Sequence, residues 1–246
     1  MTGSDGNPRA AQIRIKPASP TKTGGQRKHD LRIGKQPGYV ASERSHLNRI
    51  LIQPRTTTEM RKRAEALRDR QPRQRAMKAN AAVSFSGIIT FGHLAQDLFE
   101  ALPPRQQDAA FKELAEKVSS KLDVALTGLV VHLDEDAVHA HFQMDSYDSE
   151  GHALSDKVKH YVLKELQDLT AEVMSGHCPG IERGHSKASR LQAGAKPADV
   201  VNKSPAQLRR ELARDIEAEQ EKQAKLGQDV ATLSDRIKKL EAHGNE

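Results

Sequence analysis

The sequence predicts an α+β fold, with helices between the strands of a sheet that includes at least one antiparallel hairpin. Residues 11–16 alternate between apolar and polar side chains, as in a half-buried strand. The apolar runs 125–132 and 138–144 are separated by the polar turn 134–136, which indicates two strands joined as a hairpin. Residues 155–174 carry apolar side chains at helical spacing. Strands and helices in this order are typical of an α+β domain.

The remaining elements follow from the same periodicities. Apolar residues three and four apart indicate helices, short apolar runs indicate strands, and clusters of proline and glycine indicate loops. In chain order we predict a loop at 17–25, a short strand at 48–53, a basic helix at 56–70 with Thr58 as its N-cap, a long strand at 81–91, and a helix at 99–122 interrupted by Pro103 and Pro104.

The chain is predicted to consist of four segments. These are a flexible N-terminal tail (1–9), one domain (10–190), a linker (191–203) and a helical tail (204–243), in which Ser204 provides an N-cap. Apolar residues in the tail follow steps of four and three over about two heptads, a possible short coiled coil. We expect this tail to form a homodimer or to contact a partner, rather than to pack back on the domain. The heptad positions are Leu226, Val230, Leu233, Ile237 and Leu240.

Composition excludes several classes of protein. No apolar run approaches the roughly 20 residues that cross a bilayer, so we expect no membrane insertion. The N-terminus lacks the apolar region of a secretory signal. A single cysteine, Cys178, excludes a disulfide framework and a cysteine-rich zinc module. A cytoplasmic protein is the expectation.

The net charge of +6 is the sum over two segments that have net charges of opposite sign. Residues 1–75 contain 18 Lys and Arg against 6 Asp and Glu, whereas the rest of the chain contains 21 against 27. This asymmetry indicates either a surface that faces nucleic acid or a solvated, basic arm. The basic stretch 61–75 is a candidate DNA contact for the same reason.

Three histidines within ten residues form the most informative pattern. His139 and His141 are two residues apart on a predicted strand, so both imidazoles project from one face. His132 ends the preceding strand, and folding of the hairpin can bring its ring beside the other two. Three neutral imidazoles, with Asp134 and Glu135 on the adjoining turn, predict a site for a divalent metal that keeps open positions for catalysis.

A second group of residues lies in the basic region. Arg27, Lys28 and Arg32 can bind phosphates through charge-assisted hydrogen bonds. His29 or Tyr39 could act as a nucleophile toward phosphorus. By themselves these residues would indicate only a basic loop.

Together the two groups resemble the MobV/Pre (plasmid recombination enzyme) family of plasmid mobilisation relaxases, which are HUH-type endonucleases. The central motif of the family, His-x-Asp-Glu-x-x-Pro-His-x-His, is similar to residues 132–141, with Val138 in place of the proline. Its N-terminal motif, a basic residue, His, two residues and Arg, followed by Ser-x-x-Asn-like residues, is similar to 28–32 and 44–48. The resemblance covers roughly residues 10–190.

This resemblance implies an antiparallel sheet flanked by helices, and an enzyme that nicks one strand at a plasmid origin of transfer. Such an enzyme stays attached to the 5′ phosphate and later rejoins the strand, which initiates conjugative mobilisation. His132, His139 and His141 would hold Mn²⁺ or Mg²⁺. Glu135 would complete or orient the metal shell, and Asp134 would support a ligand or act as a base.

The resemblance also implies roles in the basic region. His29 would be the nucleophile and form a phosphoramidate, with Tyr39 as the alternative because most other relaxases use tyrosine. Arg32 would orient the phosphate or stabilise its transition-state charge. The residues expected to contact DNA are Arg27, Lys28, Arg44 and Asn48.

The implied partners are plasmid DNA, single-stranded at the nick, and proteins of the transfer machinery. Two other functions stay open on the sequence. A replication initiator would use the same chemistry at a different origin, and a non-catalytic relative would bind DNA without cutting it.

Overall fold

Six strands form one mixed, mainly antiparallel sheet. The computed structural model describes residues 6–72, 75–201, 214, 216, 219–228, 230 and 233–234. The strands are β1 (Ala10–Ala18), β2 (Arg49–Ile52), β3 (Ser84–Phe91), β4 (Leu126–His132), β5 (His139–Asp145) and β6 (Glu182–Arg183). Their order across the sheet is β2-β4-β5-β3-β1-β6, with β6 parallel to β1 and every other pair antiparallel. The α+β class and the antiparallel hairpin are confirmed.

Helices lie on both faces of this sheet. They are α1 (Pro20–Asp30), α2 (Thr57–Arg68), α3 (His93–Glu100), α4 (Pro104–Lys121), α5 (Leu154–Lys157), α6 (His160–His177) and α7 (Lys187–Gln192), with 3₁₀ turns at Ser42–Leu47 and Pro197–Val200. Helices α3, α4 and α6 contribute Phe99, Phe111 and Leu166 to the main core. Helix α2 packs Met60 and Ala64 into a second, smaller core.

The hairpin of β4 and β5 separates the core from the polar face of the sheet. Ala140, Phe142 and Met144 of β5 are buried in the main core. Gly87 of β3 lies opposite Phe142, and a Cβ at this glycine would come within 2.2 Å of the ring atom Cε1. The close approach explains a glycine inside a strand. Because side chains alternate along a strand, His139 and its alternate neighbours project from the opposite face, toward α1 and α2.

The loop predicted at 17–25 is wrong. Strand β1 continues to Ala18, and α1 begins at Pro20. Proline at the first helical positions does not interrupt a helix, because its missing N–H would have no partner there. Gly24 packs closely against α2, since a Cβ at this position would lie 3.0 Å from Thr57 Oγ1. Tertiary packing thus offsets the helix-weakening effect of glycine.

Three helix boundaries also differ from the prediction. The N-cap of α2 is Thr56 rather than Thr58, because Thr56 forms a capping box with Glu59 in which each side chain binds the other's backbone N–H. The helix predicted at 99–122 is interrupted before Pro104, as expected, but its first part, α3, begins earlier, at His93. The helix predicted at 155–174 is divided into α5 and α6, since Val158 leaves helical geometry with a ψ of 83°.

The ends of the chain add two observations. Asn7, within the predicted N-terminal tail, is buried and donates hydrogen bonds to Glu182 Oε2 (2.8 Å) and to the carbonyl of Arg183 (3.0 Å). Residues 1–195 and 196–246 form separate units. Within the part of the chain described here, no helix is both long and apolar enough to cross a membrane.

The described residues of the tail between 214 and 234 are helical. Leu226, Val230 and Leu233 are more than half exposed. Two other heptad positions, Ile237 and Leu240, and the N-cap Ser204 lie outside the described residues. The coiled coil and the dimer stay predictions.

Asp148 anchors the turn that follows β5. Its side chain is fully buried, and its Oδ1 accepts the backbone N–H groups of Glu150 (3.0 Å) and His152 (2.8 Å). The same carboxylate pairs with Lys157 of α5. Burial acts to raise the pKa of Asp148, but the hydrogen bonds from Lys157 and the backbone outweigh it and lower the pKa to about 2.

We predict that Asp148→Asn lowers the free energy of unfolding at pH 7 by about 2 kcal/mol. A depressed carboxylate pKa contributes stability that is present above pH 4 and lost as the pH falls toward 2. Urea unfolding at pH 7, 5, 3 and 2 should therefore show a difference between the two proteins that shrinks with acidity. Asp97→Asn, at an exposed position on α3, is the control. A constant difference at every pH would contradict the prediction.

Candidate metal centre

Three imidazoles converge at the end of the β4–β5 hairpin. Strand pairing sets His132 opposite His139, and His141 follows two residues later on the same face. The centroids of His132 and His139 are 5.1 Å apart, and that of His141 is 5.0 Å from each. Their ring nitrogens lie within 4.8 Å of one another. The structure brings together the three histidines predicted as metal ligands.

The hydrogen bonds of these rings suit a cation. His139 Nδ1 lies 2.8 Å from the carbonyl of Ala137, which can only accept, so the lone pair is on Nε2. His132 Nε2 is fully buried and has no hydrogen-bond partner, a state that a metal bond would relieve. A cation at Nε2 would require the ring proton on His132 Nδ1. That nitrogen lies 2.8 Å from Arg32 Nη2, which can only donate, so this contact would have to open when a cation binds.

Burial keeps two of the rings neutral, which is the form that binds metal. It lowers the pKa of His139 to about 4, with a further contribution from the neighbouring His141. The pKa of His132 is lowered by burial as well, against the opposing effect of the nearby Asp30 carboxylate. Three nitrogen donors with adjacent carboxylates fit a divalent transition metal.

Arg32 joins the basic region to the hairpin turn. Its guanidinium donates two hydrogen bonds to Asp134, of 2.8 Å from Nε and 2.6 Å from Nη2, and one to Glu135 of 2.9 Å. Nη2 also lies 2.8 Å from His132 Nδ1. Burial acts to raise the pKa of Asp134, but hydrogen bonds from Arg32 and Ser45 hold it far below the usual range. The carboxylates of the turn are thus ionised and fixed.

His29 lies beside the three histidines, on the last turn of α1. Its centroid is 5.3 Å from those of His132 and His141. His29 Nε2 is 3.2 Å from Glu135 Oε1, and Nδ1 is 3.1 Å from Arg32 Nη1. Since an ionised carboxylate can only accept and a guanidinium can only donate, the proton is on Nε2 and the lone pair on Nδ1. The side chain is 19% exposed, so a substrate can reach it.

Comparisons with known proteins give the family and the fold of the chain. The sequence model of the plasmid recombination enzyme family (Mob_Pre) matches residues 11–196. The chain belongs to this family. No curated protein matches it.

Solved structures of similar fold are known. The MobM relaxase domain, Mn-bound and bound to plasmid pMV158 oriT DNA, superimposes with a TM-score of 0.63 at 23% identity, over 82% of this chain and 98% of that one. A second Mn-bound structure of the same domain, at pH 5.5, gives a TM-score of 0.64 at 22% identity over the same shares. These likenesses show that the chain shares the fold of this domain.

Tyr39 occupies a separate hollow on the other side of the hairpin turn. The hollow has a volume of about 260 Å³, and Arg44 and Glu135 also line it. The backbone N–H of Ala41 donates to the carbonyl of Asp134 (2.8 Å), which fixes this loop against the turn. Tyr39 thus borders the site, whereas His29 lies among the histidines.

The residues predicted to contact DNA fall in different places. Lys28 and Arg44 are exposed, and Arg27 lines a groove on the polar face of the sheet. Asn48 faces inward instead, since its Oδ1 accepts the backbone N–H of Leu133 at 2.8 Å.

The basic stretch 61–75 is used partly within the fold. Arg63 donates to both carboxylate oxygens of Asp145 at 2.8 and 2.6 Å, and Arg61 pairs with Glu65. Some of its positive charge is therefore neutralised internally.

Asp30 is the site residue that the sequence reading missed. It is buried at the end of α1, and its Oδ1 lies 2.7 Å from His141 Nδ1 and 3.5 Å from His132 Nε2. Gln26 donates to the same oxygen at 2.7 Å. A carboxylate that accepts from one ring nitrogen directs the other nitrogen toward a metal. The sequence does place an acidic residue directly after His29. This residue could be assigned to the site only if residues 20–30 were recognised as a helix, and they were predicted as a loop up to residue 25.

We predict that Asp30→Asn weakens Mn²⁺ binding about tenfold or more, because the ring of His141 loses its carboxylate partner. Electron paramagnetic resonance of free Mn²⁺ during a titration measures this affinity directly. Asp108→Asn is the matched control, since Asp108 pairs with Arg49 away from the histidines. His141→Ala should remove tight binding altogether. An unchanged affinity in Asp30→Asn would show that this hydrogen bond does not support the site.

Proposed function

We propose that this chain is a metal-dependent relaxase that nicks one DNA strand at a plasmid origin of transfer. The observation that carries the proposal is His29, a reachable imidazole beside three metal-binding histidines and 3.2 Å from the Glu135 carboxylate. Membership of the plasmid recombination enzyme family and the oriT DNA bound to MobM support the same substrate. The strand would later be rejoined, which initiates conjugative mobilisation.

His29 and Glu135 would carry out the covalent steps of cleavage. The lone pair of His29 Nδ1 attacks phosphorus, a P–N bond forms, and the bond from phosphorus to the 3′ oxygen breaks. The 5′ phosphate is then held as a phosphoramidate, and the departing 3′ oxygen takes a proton from solvent. The attack leaves a positive charge on the imidazole ring. Glu135, which accepts from His29 Nε2, either compensates this charge as an ion pair or takes the Nε2 proton. Rejoining reverses these steps, with the 3′ hydroxyl as the attacking group.

Arg32 and the histidine site supply electrostatic stabilisation. Arg32 Nη1 donates to the attacking nitrogen at 3.1 Å, and a phosphate bound there would take over this hydrogen bond and free the lone pair of Nδ1. A divalent cation held by His132, His139 and His141 would neutralise the charge that builds on the scissile phosphate. Imidazole ligands favour Mn²⁺ over Mg²⁺, which prefers oxygen. We therefore propose Mn²⁺, with Mg²⁺ as the weaker substitute.

The remaining assignments follow from this function. The enzyme would work in the cytoplasm, where plasmid DNA is found, with transfer-machinery proteins as partners and the tail helix as a dimer contact. Tyr39 is the alternative nucleophile.

The test is the identity of the covalent adduct. The wild-type protein with Mn²⁺ should relax supercoiled plasmid that carries its origin, and chelation should abolish this activity. We expect His29→Ala to form no adduct and Tyr39→Phe to keep most of its activity. Mass spectrometry of the protein–oligonucleotide adduct should find the modified peptide at His29, with the acid lability of a phosphoramidate.

Two outcomes would contradict the proposal in different ways. An adduct on Tyr39 would keep the relaxase but change its nucleophile. Full relaxation by His139→Ala and His141→Ala variants would remove the metal-dependent mechanism. Tyr161→Ala, at an exposed tyrosine on α6, controls for the loss of a surface aromatic residue.

A further inference from the structure

The polar face of β5 continues past the histidines. Gln143 follows His141 by two residues and projects from the same face, about 7 Å farther along the strand. Gln143 is buried, although it makes no contribution to the metal site. A group held by Gln143 therefore lies close to a ligand bound at His141.

Gln143 fixes the backbone of an arginine. Its Oε1 accepts the backbone N–H of Arg55 at 3.0 Å and the hydroxyl of Thr127 at 3.1 Å, and its Nε2 donates to the carbonyl of Arg55 at 3.4 Å. A buried side-chain amide that binds both backbone groups of one residue holds that residue in place. The side chain of Arg55 itself is exposed.

A groove of about 520 Å³ runs along this part of the protein. Arg27 of α1 and Arg55 both line it, and Arg27 Nε donates to the carbonyl of Pro54 at 3.1 Å. One carboxylate, Glu59, also borders the groove, but it is engaged by the backbone and hydroxyl of Thr56. The two guanidiniums leave the groove with a net positive charge.

The lining of the groove selects the class of ligand. Guanidinium groups bind phosphate oxygens in a bidentate manner. The hydroxyls of Thr56 and Thr127 add further polar groups, whereas none of the described residues that line the groove is aromatic. A site without stacking side chains recognises a sugar–phosphate backbone rather than unpaired bases.

We propose that this groove binds the phosphodiester backbone of the single strand next to the scissile phosphate, with Arg55 and Arg27 as its phosphate contacts. The proposal rests on the relaxase function above and names the path of its substrate. Arg27 lies two residues before His29 on α1, and Gln143, two residues after His141 on β5, holds the backbone of Arg55, so both arginines would lie close to a phosphate bound at the histidines. Arg55 is a residue that neither the motif nor the histidine geometry assigns.

The test measures binding without cleavage. Fluorescence anisotropy of a labelled oligothymidylate of about 20 nucleotides, in buffer with a chelator, gives the affinity at several salt concentrations. Arg55→Ala and Arg27→Ala should each weaken binding about tenfold or more. Each should also reduce the slope of log K against log salt by about 0.7, the value for one lost phosphate contact on a single strand.

The controls separate the groove from general charge. Arg105→Ala removes one positive charge on α4, on the opposite face of the sheet, and should leave the slope unchanged. Arg55→Lys should restore most of the slope but not all of the affinity, since lysine keeps the charge and loses the bidentate geometry. Equal melting temperatures exclude misfolding as the cause.

The outcomes also distinguish this proposal from the relaxase function. If wild-type protein nicks origin DNA but Arg55→Ala keeps the wild-type slope and affinity, the groove proposal is overturned and the nuclease stands. If the slope falls in both arginine variants while wild-type protein forms no adduct, the groove binds DNA and the nicking proposal fails. In an active enzyme, Arg55→Ala should raise KM for the oligonucleotide with little change in kcat.

Discussion

The alternation of side chains along β5 is the constraint on which the rest of the site depends. Ala140 and Phe142 are buried in the main core, while His139, His141 and Gln143 project from the other face. A register shift of one residue would move imidazoles into the apolar core and expose the apolar side chains. The burial that stabilises the sheet therefore also fixes the positions of two of the candidate metal ligands.

A second contact joins this strand to the N-terminal part of the chain. Arg32, just beyond the carboxyl end of α1, binds Asp134 and Glu135 on the hairpin turn. The same helix end places His29 beside Glu135 and Asp30 beside His141. Because these groups are partly buried, each charge requires its partner, and loss of one would leave the other uncompensated. The stability of this region and the arrangement of the site are consequently coupled.

The positive charge of the first third of the chain serves two purposes. Arg49 and Arg63 form ion pairs with Asp108 and Asp145, so they hold elements together. Arg27 and Arg55 instead line a groove. The count of basic residues indicated a DNA-facing surface, but it could not assign a role to each arginine. That assignment depends on which carboxylates the folded chain places nearby.

Local patterns in the sequence were sufficient for the hairpin and for the three histidines. A period of two along a strand and a short turn between two strands determine which side chains share a face, with no information from distant residues. The α+β class followed from the same periodicities. Patterns of this kind were not sufficient for α1, whose two adjacent glycines indicated a loop, because Gly24 is stabilised by its close packing against α2.

Only the tertiary structure decided which distant residues complete the site. Asp30 meets His141 and Asn48 meets Leu133 across separations of 111 and 85 residues, and nothing in their local sequence encodes these partners. Gln143 meets Arg55 in the same way, and so defines the groove beside the metal centre. The sequence by itself determined which histidines share one face of the hairpin and the strand that carries two of them. Long-range packing determined the residues that orient those ligands, because such contacts depend on the order of strands in the sheet and not on spacing along the chain.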